Sequence, residues 1–238
     1  MNRETANVLL LLIGGALLKI AVDGSYVRYV KPGLFPYLLT SALVIVVLAV
    51  AAIAGDVRRG HAADDSHADG HRHNTRSYWM LLVPAAVILF VAPPALGVSS
   101  VGSSAAQRTM AAQDMSAFAP LPDGPAPELS ILDVVGRAAR DSTGSLDGRE
   151  IVTTGFVVAA ADGGTFDLAR VLIICCAADA RSIRIHLDGT LGDIPEGTWL
   201  SVTGVVVPGS ADADSNYTPT LTVTDLVPIP APDNTYAY

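Results

Sequence analysis

Three long apolar runs near the start of this 238-residue chain limit what it can fold into more than any other feature. They cover residues 7–22, 33–54 and 78–98, and the last two contain no charged residue. At 1.5 Å per residue, the two longer runs reach roughly 30 Å as helices, which is the thickness of the hydrocarbon core of a bilayer. We therefore predict three transmembrane helices, with the Lys19 amine near the membrane interface. A cleaved signal peptide is the alternative for the first run.

The basic residues that flank these runs predict an orientation in the membrane. The leader and the loop 55–77 share one side and together hold five Lys or Arg residues, whereas the loop 23–32 holds two. Because basic loops remain in the cytoplasm, the N-terminus is expected inside the cell and residues 99–238 outside it. The predicted location is the cell membrane, with several spans.

The loop 55–77 is also rich in histidine. Four of the five histidines lie within thirteen residues, and three aspartates are interleaved with them. Imidazole nitrogens and carboxylate oxygens together suit borderline divalent ions such as Zn²⁺. Since the spacing of a known zinc motif is missing, a solvated charged linker is the simpler interpretation and a weak metal-collecting loop the functional one. The candidate ligands are His61, His67, His71 and His73.

The remainder of the chain is acidic. Residues 99–238 carry seven basic and seventeen acidic side chains, whereas residues 1–98 have a small basic excess. Such a negative charge excludes a nucleic-acid partner, which needs basic residues against its phosphates. We predict a membrane anchor over 1–98, a Pro/Ala/Gly/Ser-rich tether over 99–128 and a folded domain over 129–238.

The composition of this last domain is typical of a small β structure. A helix is predicted over 131–140 with Ser130 as its N-cap, and five segments rich in β-branched residues follow, separated by turn signals. The predicted fold class is thus an α+β membrane protein in which one helix precedes a small antiparallel β-barrel of OB type, with a β-sandwich as the alternative. The five predicted strands are 149–159, 165–177, 181–187, 198–207 and 220–227.

Two adjacent cysteines, Cys175 and Cys176, end the second predicted strand, and Asp179 follows them. Neighbouring side chains of a regular strand point to opposite faces, so both thiols reach one ion only where a bulge or a strand end intervenes. Packed small side chains, metal ligation and redox chemistry all remain open for the pair. His186 on the next strand is a further conceivable ligand.

No catalytic motif accompanies these residues. The GxSxG, Walker, HExxH and dinucleotide-binding patterns are absent from the sequence, and no CxxC motif occurs. We therefore expect that the protein is not an enzyme.

Several sequence strings resemble one family. LLLLIGGALLKI at 9–20, the apolar segment after the histidine-rich loop and FDLARVLIICCAADA at 166–180 are similar to the YcgQ-like family of bacterial membrane proteins, described as permease subunits. The resemblance implies a multi-span permease as partner and an association with zinc. Cys175, Cys176 and Asp179 match its most specific string, whereas Arg181 and Ser182 depart from the expected proline.

The resulting functional prediction is an accessory subunit of a permease that handles a divalent metal such as zinc. Two alternatives remain from the sequence. One is a structural or interaction module that recognises a protein or polymer of the cell envelope. The other is an extracytoplasmic redox protein that uses the two adjacent cysteines.

Overall fold

The computed structural model of the chain describes residues 3–60, 94–101, 118–160, 165–190 and 192–238. The chain divides into two compact units, Met1–Pro94 and Ala95–Tyr238. The third predicted transmembrane run lies outside the described residues except for its last five positions.

The first unit contains two helices, α1 (Arg3–Val22) and α2 (Phe35–Gly60), which pack against each other. Two short 3₁₀ turns, Ser25–Arg28 and Pro32–Leu34, connect them. Proline at the start of the second turn suits a helix N-terminus, because its missing N–H has no intrahelical partner there.

The contact between α1 and α2 depends on a small residue and on a polar pair. A Cβ atom added to Gly14 would lie 2.8 Å from Cγ2 of Val46, so the two helix backbones approach closely at this glycine. At the open end of the hairpin, Nδ2 of Asn7 donates a 2.9 Å hydrogen bond to Oδ2 of Asp56. Close packing and a satisfied polar pair both hold the two helices side by side.

The prediction of three transmembrane helices is wrong for the part of the chain that the structure describes. One segment there, Pro32–Asp56, is long and apolar enough to cross a membrane. The apolar part of α1, Ala6–Val22, is shorter, because the polar start of that helix does not contribute to it. One apolar helix near the N-terminus is compatible with a membrane span or with a signal sequence.

The α-helix that the structure describes in the second unit is α3 (Ile131–Arg140), whose N-cap is Ser130. The Ser130 hydroxyl accepts the N–H of Asp133 at 3.1 Å, as an N-cap side chain should. Six strands follow: β1 (Glu150–Ala159), β2 (Phe166–Leu172), β3 (Arg181–Asp188), β4 (Trp199–Val206), β5 (Thr220–Pro228) and β6 (Tyr236–Ala237).

The strands form one mixed sheet in the order β1-β4-β5-β3-β2-β6, and β1 also pairs with β2. The pairs β3–β5 and β2–β6 are parallel, whereas the other four pairings are antiparallel. The predicted five-stranded antiparallel barrel of OB type is therefore wrong. Along the sequence β4 lies between β3 and β5, and β3 and β5 pair with each other in the same direction. Strand β6 is too short to be recognised from its sequence.

The main core lies between α3 and one face of the sheet. Ile131 and Val134 of α3 and Leu168 and Ile185 of the sheet are fully buried there. Gly155 explains how β1 stays close to β2, because an added Cβ would lie 2.7 Å from the Ala169 carbonyl oxygen. A side chain at this position would force the two strands to shift apart.

A second apolar cluster covers the opposite face of the sheet. Phe156 and Val171 lie in it, and the segment 95–101 packs over them. The Tyr236 hydroxyl accepts the N–H of Leu96 at 2.8 Å, which ties this segment to β6. This face of the sheet is therefore covered along β1 and β2, whereas Val227 of β5 is 48% exposed.

Residues 118–128, within the predicted tether, belong to the second unit and contact its helix and sheet. The Arg137 guanidinium donates to the Ala119 carbonyl at 2.7 Å and lies 5.0 Å from the centre of the Phe118 ring. Further along, the Leu129 N–H donates to the Val152 carbonyl of β1 at 2.8 Å.

Candidate metal centre

The loop between β2 and β3 holds the candidate site. β2 ends at Leu172, and the following loop carries Ile174, Cys175, Cys176 and a 3₁₀ turn over Ala177–Asp179. Because the chain has left the sheet, the alternation of side chains along a strand no longer separates the two thiols. The predicted strand 165–177 thus ends five residues earlier than expected, and the cysteines belong to the connection.

The Asp179 carboxylate shapes this loop by accepting three backbone N–H groups. Its Oδ1 accepts from Ile174 at 2.8 Å, and its Oδ2 accepts from Cys175 at 2.8 Å and from Cys176 at 3.3 Å. The Cys176 sulfur in turn accepts the N–H of Asp179, so the two residues cap the 3₁₀ turn reciprocally. This local network folds Asp179 back onto the two cysteines.

The ligand atoms of Cys175, Cys176 and Asp179 lie close together. The Sγ atoms of Cys175 and Cys176 are 3.7 Å apart, and the sulfur and carboxylate ligand atoms of the trio all lie within 4.8 Å of one another. Both cysteines are free thiols, and Cys175 is exposed. Two thiolates bound to a tetrahedral Zn²⁺ at about 2.3 Å are about 3.8 Å apart, which matches the observed separation.

A hydrogen bond between the Asp179 carboxylate and the Cys175 thiol shifts the pKa of both groups. The hydrogen bond with Asp179, followed by that with Cys176, raises the pKa of Cys175 to about 11. The same thiol, helped by the backbone N–H groups, lowers the pKa of Asp179 to about 2. At neutral pH the carboxylate is therefore charged and the Cys175 thiol protonated, and a bound cation would replace that proton.

The structure brings together three of the seven predicted ligands, Cys175, Cys176 and Asp179. His186 does not join them, because it pairs in register with Asp167 at the far end of the β2–β3 ladder. The predicted ligands His61, His67, His71 and His73 lie outside the described residues.

A charged cluster around His186 was missed by the sequence analysis. The Asp167 carboxylate is 8% exposed, and its Oδ1 lies 3.0 Å from Nδ1 of His186. Its Oδ2 lies 3.5 Å from the Arg184 guanidinium. Polar residues that alternate with apolar ones on β2 and β3 were the available sequence signal. The strand register that brings these residues together cannot be read from either strand alone.

Family models match both halves of the chain. The DUF1980 N-terminal domain matches residues 7–111, and the DUF1980 C-terminal domain matches residues 137–238. No curated protein matches the chain. The two matches carry neither the predicted YcgQ-like name nor a link to a permease. Since together they cover most of the sequence, the chain belongs to the DUF1980 family.

Proposed function

We propose that the protein is a membrane-attached accessory subunit that binds a divalent cation, with zinc as the best fit, at Cys175, Cys176 and Asp179. The observation that carries the proposal is the 3.7 Å separation of the two free sulfurs beside a carboxylate. Two thiolates and one carboxylate are ligands that zinc accepts in proteins.

The hydrogen bonds of Asp179 leave it able to act as a ligand. Each carboxylate oxygen has two lone-pair directions, and Oδ1 accepts a single N–H, from Ile174, among the bonds of this loop. The same bonds orient the carboxylate, in the way that surrounding donors usually fix a metal ligand.

Three protein ligands would leave the fourth position of a tetrahedral ion open. In the part of the chain that the structure describes, this cluster contains no fourth His, Cys, Asp or Glu. Structural zinc sites have four protein ligands, whereas sites with an open position exchange ligands with water or a second molecule. The exposure of Cys175 gives such a molecule access. We therefore propose a site that loads and releases its ion.

Packing of the cysteines as small apolar side chains is the weaker alternative. Buried cysteines behave as small hydrophobic residues, but Cys175 is exposed and Cys176 is only half-buried. Neither belongs to the two apolar clusters of the second unit.

Attachment to a membrane is supported by the surface of helix α2. The side chains of Val44, Val47 and Leu48 are each more than half exposed. In the most apolar stretch of this helix, 11% of the residues are buried. Lipid is a suitable environment for such a surface. The multi-span permease partner rests on the family resemblance stated from the sequence, and the predicted orientation, with the N-terminus inside and residues 99–238 outside, remains a prediction.

The metal role is tested by zinc and cadmium titration of the full chain purified in detergent. The double variant Cys175→Ser/Cys176→Ser should lose one equivalent of bound zinc and the cadmium–thiolate absorption band. A control with the four clustered histidines of residues 61–73 changed to alanine should keep both. Equal zinc content in the wild-type protein and the cysteine variant would rule out this site. Co-purification with a multi-span permease would then separate an accessory subunit from a module that recognises another envelope component.

A further inference from the structure

The proposed zinc site includes two thiols that an oxidant can join in a disulfide bond. We propose that Cys175 and Cys176 form a reversible thiol–disulfide switch, in which a diffusible low-molecular-weight disulfide oxidises the pair and the oxidised pair no longer holds the cation. The inference rests on the proposed function for its effect on the metal. The oxidation itself depends on the two sulfurs alone.

The positions of the two sulfurs favour this reaction. They are 3.7 Å apart, both are free, and both belong to a loop outside the β-sheet. A disulfide bond is about 2.05 Å long, so the sulfurs must approach by less than 2 Å. Neither cysteine belongs to the β2–β3 ladder, whose last pair is Leu172 with Arg181, and the movement therefore leaves that ladder intact.

The hydrogen bonds of the loop indicate which contact the ring would disturb. Bonding between neighbouring cysteines closes a small ring around the Cys175–Cys176 peptide group. The N–H of that peptide belongs to Cys176 and lies 3.3 Å from Oδ2 of Asp179, whereas the N–H groups of Ile174 and Cys175 lie 2.8 Å from the carboxylate. Reorientation of the peptide would thus break the longest of the three bonds and keep the two shorter ones.

The chemistry is a two-step exchange with a balanced transfer of electrons. One cysteine sulfur attacks the small disulfide, which forms a mixed disulfide and releases one small thiol. The second cysteine sulfur attacks the mixed disulfide, forms the Cys175–Cys176 bond and releases the second small thiol. The metal-free protein loses two electrons and two protons, and the small disulfide gains them. The zinc-loaded protein loses two electrons and the ion, and the two small thiolates released take their protons from water.

Oxidation would remove the two best ligands of the proposed site together. A zinc thiolate site needs charged sulfur, and a disulfide sulfur carries no charge. A bond between neighbouring cysteines is strained and is readily reduced, so an added thiol should restore the site. The pair would then respond to the redox state of its surroundings.

The test treats the zinc-loaded full chain in detergent with oxidised glutathione and follows the protein by peptide mass spectrometry. The wild-type protein should give a peptide with a Cys175–Cys176 disulfide and should lose one equivalent of zinc, and dithiothreitol should reverse both changes. The single variants Cys175→Ser and Cys176→Ser should stop at the mixed disulfide with glutathione. Circular dichroism of all samples checks that the fold is unchanged.

Each outcome separates the switch from the metal role. A wild-type protein that stops at the glutathione adduct, as the single variants do, would overturn the switch. A Cys175–Cys176 disulfide in a protein that binds no zinc in its reduced form would support the thiol–disulfide reaction and overturn the metal site. Zinc retained by the oxidised protein would overturn the proposed effect of oxidation on the ion.

Discussion

The Asp179 carboxylate accepts the backbone N–H of Cys175 at 2.8 Å and also interacts with the thiol of the same residue. One side chain therefore shapes the β2–β3 loop and sets the protonation of its most exposed sulfur. The relationship joins the local fold of the loop to the chemistry of the candidate site.

The first prediction concerns the protonation of Cys175. Replacement Asp179→Asn removes the carboxylate whose hydrogen bond, and to a smaller extent whose charge, raises the pKa of this thiol, so the pKa should fall toward the ordinary range of cysteine. In a Cys176→Ser background, the pH profile of alkylation by iodoacetamide should move to lower pH. An unchanged profile would show that the Asp179 charge does not act on the sulfur.

The second prediction concerns the close approach of β1 and β2. Gly155→Ala would place a Cβ 2.7 Å from the Ala169 carbonyl oxygen and 2.8 Å from Cγ of Leu168. We expect the second unit to lose about 1–3 kcal/mol of stability, because a packed sheet adjusts poorly to an added carbon. Urea unfolding followed by Trp199 fluorescence in a Trp79→Phe background measures this loss.

Gly97→Ala is the matched control for this experiment, since nothing lies within 4 Å of its added Cβ. It should leave the unfolding midpoint almost unchanged. Equal midpoints for Gly155→Ala and Gly97→Ala would contradict the tight contact between the strands.

The third prediction concerns Arg137, which joins α3 to the chain before it. The side chain is 5% exposed, and its guanidinium donates to Asp133, to Ser145 and to the Ala119 carbonyl. Arg137→Ala should destabilise the second unit by about 2–3 kcal/mol, because it removes three hydrogen bonds of a charged donor together with its packing against the Phe118 ring. Urea unfolding measures the change, with Arg149→Ala, which removes more exposed bonds, as the control with the smaller effect.

The fourth prediction concerns stability in acid. Hydrogen bonds from Ser145 and then Thr143 hold the pKa of Asp141 below its usual range in the folded protein. A carboxylate of this kind stabilises the fold above its unfolded pKa of about 3.9, and the contribution is lost as the pH falls below that value. Asp141→Asn should therefore lower the Tm of the second unit at neutral pH and flatten its decrease between about pH 5 and about pH 2. Parallel Tm curves for the two proteins would contradict this role.

The local elements of the second unit could be predicted because their signals are local. Ser130 and the apolar positions of 131–140 gave the helix with the bounds that the structure has, and the predicted strand 149–159 differs from β1 by one residue. These patterns depend on neighbouring residues alone.

Strand pairing and the exact shape of the site could not be predicted in this way. The parallel pairing of β3 with β5 depends on contacts between segments more than thirty residues apart. Ile173 and Ile174 continue the β-branched pattern of β2, so the sequence did not show where this strand ends. In the structure the chain leaves the strand direction there, because the Asp179 carboxylate accepts the N–H groups of Ile174 and Cys175. The sequence predicted Cys175, Cys176 and Asp179 as ligands, and the fold of the β2–β3 loop brings their ligand atoms together.

X-ray absorption at the zinc edge identifies the atoms that surround the bound ion. The sample is the full chain with His61, His67, His71 and His73 changed to alanine and loaded with one equivalent of zinc. The proposed site predicts two sulfur neighbours at about 2.3 Å together with oxygen neighbours at about 2.0–2.2 Å. A spectrum with oxygen and nitrogen neighbours alone, identical in the Cys175→Ser/Cys176→Ser protein, would contradict it.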